Sequence, residues 1–444
     1  MSELAGWGSY PKITTERLVV RHAAEASSLL RARTGLIARG QGRAYGDAAI
    51  GMTSTLCLSG LDRMQWFDPG TGELAVEAGV TVADILDTFV PRGFFLKVVP
   101  GTKFVSVGGA IASDIHGKNH HRDGGFGDHV VSFGLALPNG ETLTCSRDEN
   151  VELFWATIGG MGLTGVITEA TLRLRPIETG WLTQQTLIAA NLDVAIDVID
   201  QTASAPYSVA WIDCQARGAA LGRSLVYVAD HASSADKDRL GPALPRYPPP
   251  RAGRLSVPSL FPGFALNPLS MRAFNEVYFR LGASQAGVQR LASWDHYFFP
   301  LDTIANWNRI YGRRGFLQHQ CVIPAHNARG VLTEILDRTS RFGNASFLAV
   351  LKLLGDSHGL MSFPMRGYTL AMDFPINASV FGFLDEIDSL VVAAGGRLYL
   401  AKDARQSRAT LEESYVGLKQ FRAVRKQIGA DKHLVSHLSA RLGI

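Results

Sequence analysis

The run from Pro100 to His121 constrains this chain more than any other stretch: Pro-Gly-Thr-Lys-Phe-Val-Ser-Val-Gly-Gly-Ala-Ile-Ala-Ser-Asp-Ile-His-Gly-Lys-Asn-His-His. Its first half, around Gly101, Ser106, Val107, Gly108, Gly109, Ala110, Ala112 and Ser113, consists mostly of residues with little or no side chain. Backbone in such a tract can lie directly against a flat or phosphorylated ligand. The second half is polar: Asp114, His116, Lys118, Asn119, His120 and His121, with Ile115 and Gly117 between them. A titratable ring and a cation therefore stand beside a surface cleared of side chains. His116, His120 and His121 have no Cys or further His at zinc-ligand spacing, so no metal site is expected.

The chain is long enough for that run to belong to a large fold. Its 444 residues suffice for two or three domains, and 46% hydrophobic against 19% charged residues is a globular composition. A net charge of +4 gives no support to a general nucleic-acid role. Cys57, Cys145, Cys214 and Cys321 are widely spaced and read as reduced, buried thiols. The opening residues Met1 to Trp7 lack a basic region followed by an apolar one, so no secretory signal is expected. No apolar stretch reaches the roughly 20 residues of a spanning helix, so any membrane contact is expected to be peripheral.

Around the run, the first third reads as a βαβ-like mixture. The strand-like Gly35 to Ala38 enters a second glycine loop: Arg39, Gly40, Gln41, Gly42, Arg43, Ala44, Tyr45, Gly46, Asp47. It is not a Rossmann fingerprint, because the third glycine is misplaced and a strand, Ser54 to Leu58, follows instead of a helix. Strand, glycine loop and strand still offer successive backbone N–H groups to a pyrophosphate. Thr81 to Val90 is predicted as a helix, with Thr81 as N-cap and Pro91 and Gly93 ending it. Leu96 to Val99 and Thr168 to Leu174 are predicted as strands, and Phe154 and Trp155 as core.

After Pro176 the pattern changes to an antiparallel sheet with helices on one face. Strands are predicted at Ser208 to Asp213 and Phe316 to Ile323, and helices at Gly330 to Thr339 and Val380 to Ala394. Pro242 to Pro268 holds Pro245, Pro248, Pro249, Pro250, Pro258 and Pro262, and is predicted as a long loop. Its apolar Leu255, Val257, Leu260, Phe261, Phe264 and Leu266 suggest a mobile gate at a pocket mouth. Lys419, Arg422, Arg425, Lys426 and Lys432 read as one basic face near the C-terminus.

The Pro100 to His121 run, with the Arg39 to Asp47 loop and the Gly-rich block from Gly159 to Gly165, resembles the FAD-linked oxidases of the vanillyl-alcohol oxidase type. The wording from Asp114 to His121, and blocks such as Phe316-Leu317-Gln318, Lys352-Leu353, Asp373-Phe374-Pro375 and Tyr399 to Asp403, are similar to one branch, the decaprenylphosphoryl-ribose oxidases. The resemblance implies an α+β flavoprotein of two domains. An FAD-binding domain (7–178) is completed by a C-terminal segment (397–444), and an antiparallel-sheet substrate domain (179–396) lies between them. It implies that the Arg39 to Asp47 loop, together with Gly101, Ser106, Val107, Gly108, Gly109, Ser113, Asp114, Ile115, His116, Gly117, Ile167 and Tyr399, binds FAD. It implies non-covalent FAD, since Arg43 stands where covalently flavinylated relatives carry His.

The implied reaction is oxidation of the 2′-hydroxyl of a polyprenyl-phosphoryl-β-D-ribofuranose to the ketone. An NAD(P)H-dependent short-chain reductase would then complete the change to the arabinose form used in cell-wall glycans. Lys402 is the expected group for the hydroxyl proton, with His116 as its rival. Tyr45, Lys118, Tyr311, Gln318, Gln320, Lys352 and Asp373 are expected pocket walls, with Lys118 and Lys352 suited to a phosphate. Ala371 stands where mycobacterial members have Cys, so no thiol enters the chemistry. The expected location is cytoplasmic or peripheral at the inner membrane, or else its periplasmic face. Two other readings are an oxidase of a free alditol or aldonolactone, and a non-enzymatic membrane-surface protein anchored by the C-terminal basic face.

Overall fold

Small residues, alternating strands and capped helices build three large sheets and a two-stranded one in the computed structural model, which describes residues 1–251, 253, 255–258, 267–343 and 348–444. The first sheet runs Ser2–Leu4, Ile13–Val19, Ser54–Cys57, Leu36–Arg39. Its last three strands are parallel, with the helix Ala23–Ala32 in the connection between Ile13–Val19 and Leu36–Arg39. The second sheet is antiparallel, in the order Met64–Asp68, Glu73–Glu77, Val166–Pro176, Val130–Ala136, Thr142–Ser146. Phe94–Leu96 pairs with the far end of Val166–Pro176.

The third sheet has eight antiparallel strands: Arg290–Ser293, Trp181–Ala189, Ser224–His231, Tyr207–Ile212, Ala349–Leu354, Gly367–Pro375, Phe316–Pro324, Arg397–Leu398. One face is covered by the helices Leu192–Gln201, Ala325–Phe342 and Val380–Ala393. Ile196, Leu332, Leu336, Leu384 and Ile387 pack there against Ala210, Leu351, Leu370 and Phe374. The chain then returns to the first sheet. Leu434 bridges to Leu36 and Ser436 to Gly51, and Arg441 pairs with Asp47 at 3.0 Å and Asp403 at 2.9 Å.

Local signals fix most element ends. The helix Val82–Phe89 starts in a capping box, Thr81 accepting from Asp84 N and the Asp84 carboxylate accepting from Thr81 N. Gly93, at φ 82°, ends the short turn that follows. The strand expected at Leu96 to Val99 instead ends at Leu96, because the Lys97 carbonyl accepts from the Asn119 amide at 2.7 Å. The helix expected at Gly330 to Thr339 is longer, Ala325–Phe342. It starts directly after Pro324 and stops at Gly343, at φ 79°.

One surface reading is corrected. Arg425 does not belong to a basic face: it is 1% exposed and donates to the carbonyls of Leu163 and Leu434 at 3.0 and 2.7 Å. Arg422 is engaged as well, by the Gly443 carbonyl and Glu412, each at 2.9 Å. The Pro-rich stretch is tied down over its first part. The Trp181 and Trp294 indoles donate to the carbonyls of Pro245 and Pro248, and Leu255–Ser256 pairs with Ile304–Ala305. Leu260, Phe261, Phe264 and Leu266 of the expected gate lie outside the described residues. The four cysteines are free and buried, and no helix among the described residues is long and apolar enough to cross a membrane.

Candidate active site

Side chains alternate across a strand, so each central strand of the large sheet sends one set into the helices and the other away from them. Ala210 and Ile212 join the helix-covered core, while Val209 and Trp211 line a cavity on the opposite face. Leu317, Cys321 and Ile323 face the helices, and Gln318 and Gln320 the cavity. Leu351 and Leu370 pack inward, and Val350, Lys352 and Ala371 face the cavity. The other wall is the two glycine loops. Tyr399, Ala401 and Lys402, delivered by the turn after Arg397–Leu398, close the side between them. The enclosed volume is about 410 Å³.

The glycine loops meet each other closely. A Cβ on Gly40 would lie 2.0 Å from Ser106 Oγ, and one on Gly108 3.0 Å from the Ala78 Cβ. Ser106 caps the short helix Val107–Ala112, accepting from Gly109 N. Gly42 takes φ 65°, and the N–H groups of Gln41, Gly42, Arg43 and Ala44 donate to nothing among the described residues. Successive unpaired N–H groups in a turn with a left-handed residue form an anion-binding concavity. The Arg43 guanidinium lies 4.2 Å over Trp7, with its buried Nε unpaired. A cleared backbone, free donors and a cation fit a cofactor that carries a pyrophosphate and a flat ring.

Cations dominate the polar groups deeper in the cavity. Gln320 Nε2 donates to His116 Nε2 at 2.9 Å and to Thr369 Oγ1 at 3.1 Å. The other ring nitrogen, Nδ1, lies 3.2 Å from Lys352 Nζ. Burial, then the Lys352, His120 and Lys402 charges, hold His116 well below the ordinary histidine range, so it is neutral. Burial lowers Lys352 to about 8. Burial and the Lys352 charge bring Lys118 to about 7, and its Nζ donates to the Tyr297 carbonyl. Lys402 also falls to about 7 through burial, with Asp373 opposing. Its Nζ lies 3.7 Å over the Tyr45 ring and makes no hydrogen bond among the described residues. Asp302 is the one carboxylate on the lining among the described residues.

The cavity brings together most of the residues expected from sequence. Gly40 to Tyr45, Gly101, Ser106, Gly108, Gly109, Ser113, Ile115, His116, Gly117, Ile167 and Tyr399 line it, as do Lys118, Gln318, Gln320, Lys352 and Lys402. The others stand behind the wall. Arg39 turns away to the Ala5 carbonyl at 2.7 Å. Gly46 abuts the Asp403 carbonyl, 2.1 Å from where a Cβ would sit, and Asp47 is held by Arg441. Val107 is core. Asp114 accepts from Ser362 at 2.6 Å and Gly127 N at 3.0 Å. Tyr311 and Asp373 are not walls but props: Asp373 accepts from Gln318 at 2.6 Å and from Tyr311 at 3.2 Å, fixing Gln318.

Sequence reasoning missed the aromatic end of the cavity, where Trp211, Tyr227, Tyr278 and Phe298 join Trp7 and Trp307. Trp211 was accessible through its alternation with Ala210 and Ile212. Tyr278 carries no local signal, because its helix reaches the cavity only through tertiary packing.

Comparisons with known proteins agree with this geometry. Residues 18–146 match the family model described as FAD binding domain. The chain is 36% identical, over 99% of its length and 97% of the relative's, to the decaprenylphosphoryl-beta-D-ribose oxidase of Mycolicibacterium smegmatis. It is 34% identical, over 82% of its length and all of the relative, to an uncharacterized protein in the mprA 5′ region of Streptomyces coelicolor. It is 31% identical over 34% of its length, and 30% of the relative's, to the D-arabinono-1,4-lactone oxidase of Yarrowia lipolytica. With a glycine cradle built for the cofactor and a full-length match of this strength, the chain belongs to the family of the mycobacterial oxidase and is an FAD-dependent oxidoreductase of the vanillyl-alcohol oxidase type.

Proposed function

We propose that the chain oxidises the 2′-hydroxyl of a polyprenyl-phosphoryl-β-D-ribofuranose to the ketone, using FAD held without a covalent bond. The observation that carries this reading is the polarity of the cavity. Lys118, Lys352 and Lys402 converge at its inner part, while Val209, Trp211, Tyr227, Tyr278 and Val350 line the rest. A phosphate beside the lysines and an apolar tail along the aromatic wall use both halves. A free alditol or lactone leaves the lysines without a counter-charge, although lactone oxidases are among the relatives.

Bound FAD supplies the hydride acceptor. The Gln41 to Ala44 N–H groups and Arg43 suit its pyrophosphate, and Gly108, Gly109 and Tyr399 suit its ring system. Lys402 takes the hydroxyl proton on Nζ. With a pKa of about 7 it is partly neutral near pH 7, and it has no hydrogen bond to give up. His116 is the weaker base, since Gln320 occupies Nε2 and Lys352 faces Nδ1. Lys118 and Lys352 hold the phosphate. The keto product then requires hydride return to the opposite face, the work of a separate NAD(P)H-dependent short-chain reductase.

The test is anaerobic mixing of the yellow holoenzyme with a short-chain polyprenyl-phosphoryl ribose, free ribose or arabinono-lactone. Loss of flavin absorbance with the phosphoryl sugar alone is the expected result. Bleaching by the lactone and not by the phosphoryl sugar overturns the reading. Flavin left on the polypeptide after acid denaturation overturns non-covalent binding.

A further inference from the structure

Lys402 is fixed by a ring rather than by a hydrogen bond. Its Nζ stands 3.7 Å from the centroid of the Tyr45 ring, and no hydrogen bond or ion pair holds that Nζ among the described residues. An ammonium over an aromatic face is drawn to the negative charge of the ring, more strongly where water is excluded. Tyr45 is itself buried, 9% exposed. Phe316 meets its ring edge-on at 5.4 Å and stacks on Tyr311 at 4.3 Å. The Tyr45 hydroxyl accepts from Gln318 at 3.5 Å, and Gln318 donates to Asp373 at 2.6 Å.

Backbone contacts hold the two residues in register. Tyr45 N–H donates to the Ala401 carbonyl at 2.9 Å, and Lys402 N–H to the Tyr399 carbonyl at 2.9 Å. Gly46 lies against the Asp403 carbonyl, and Arg441 bridges Asp47 to Asp403. The Arg39 to Asp47 loop is thus fastened along the turn that carries Lys402, and the ring cannot slide away without opening that seam. From the other elements, Asp373 favours the charged amine, Lys352 opposes it, and His116 feels the Lys402 charge. Asp403, next in the chain, is taken up by Arg441.

We propose that Tyr45 is a positioning residue for Lys402, its ring face holding the amine in place at the cavity wall and favouring its charged form. The proposal rests on the reading of Lys402 as the group that takes the hydroxyl proton. In that step the substrate O–H bond breaks, an N–H bond forms on Nζ, and the hydride passes to FAD. Burial lowers the proton affinity of Lys402, and the ring face restores part of it. The result is a stronger proton acceptor, matched to neutral pH.

The experiment compares Tyr45→Phe, in the FAD-loaded protein, with the same phenylalanine carrying one, two or three ring fluorines, which drain charge from the ring face at nearly constant size. Flavin retention reports that each variant is folded. Acetylation of Lys402 by acetic anhydride over a range of pH, read by mass spectrometry without substrate, gives the midpoint at which the amine loses its proton. That midpoint is expected to fall stepwise with fluorination, by on the order of one pH unit across the series. With the short-chain phosphoryl sugar, the acidic limb of the flavin-reduction rate should move down in pH by the same amount, because the rate rises as Lys402 becomes neutral. A midpoint that ignores fluorination, as a ring that only fills space would give, overturns the proposal, and so does one that rises. A midpoint that falls while the rate limb stays put keeps the hold of Tyr45 on Lys402 and removes Lys402 as the proton acceptor.

Discussion

Gly40→Ala tests whether the two glycine loops form one cradle. The new Cβ would sit 2.0 Å from Ser106 Oγ and 3.0 Å from Ser106 Cβ. Swinging the hydroxyl away relieves the shorter contact but removes the cap on Gly109 N. Loss of a serine N-cap costs about 1 kcal/mol, and the remaining Cβ contact adds about 1 kcal/mol of overpacking. The total is about 2 kcal/mol. Ser106→Gly alone should cost only a few tenths of a kcal/mol, since glycine is a tolerable N-cap. In that background both clashing atoms are gone, so Gly40→Ala should cost almost nothing. The cycle therefore predicts a coupling of about 2 kcal/mol, read from urea unfolding of the holoenzyme and from flavin release. An equal cost of Gly40→Ala in both backgrounds would falsify the idea that the loops touch.

Three further outcomes are expected. Lys402→Ala should leave the protein yellow and folded but abolish turnover, whereas near-normal flavin reduction moves the proton-accepting role to His116. Asp114, raised to about 6 mainly by burial, favours its protonated form in the fold, so its contribution to stability falls as pH rises from about 4 through 6. Asp114→Asn should flatten that segment of a pH–stability curve, and an unchanged slope refutes the assignment. Lys118, Lys352 and Lys402, with values of about 7, 8 and 7, lose their charge as pH rises. Pyrophosphate binding at the active site should weaken as pH rises through about 7 to 8 and weaken further in Lys352→Met, and pH-independent affinity counts against a cationic pocket.

The sequence carried the cradle because its chemistry is local. Gly40, Gly42, Gly108 and Gly109 mark where backbone must come close, whatever the rest of the fold does. Gln318 and Gln320 were readable for a similar reason, since two-residue spacing on one strand puts both on one face. Asp373 was misread as a wall because sequence order cannot tell a residue facing a ligand from one bracing its neighbour. Arg425 shows a different failure. Leu418, Phe421, Arg425 and Ile428 share one helical stripe, so periodicity assigns Arg425 to the buried side, and counting basic residues hid that. Tyr278 depended on how a distant helix docks, which no local pattern encodes.

Lys103, in the glycine-rich run from Pro100 to His121, reaches across to the short helix Trp294–Phe298. Its ammonium pairs with Asp295 at 2.7 Å with both side chains buried, and its backbone N–H donates to Asp302. Removing one partner, as in Asp295→Ala, would leave the other charge buried and uncompensated, at about 3–5 kcal/mol. The run is thus pinned at Lys103 from outside its own sheet, and Asp295→Ala should loosen bound flavin as well as lower stability.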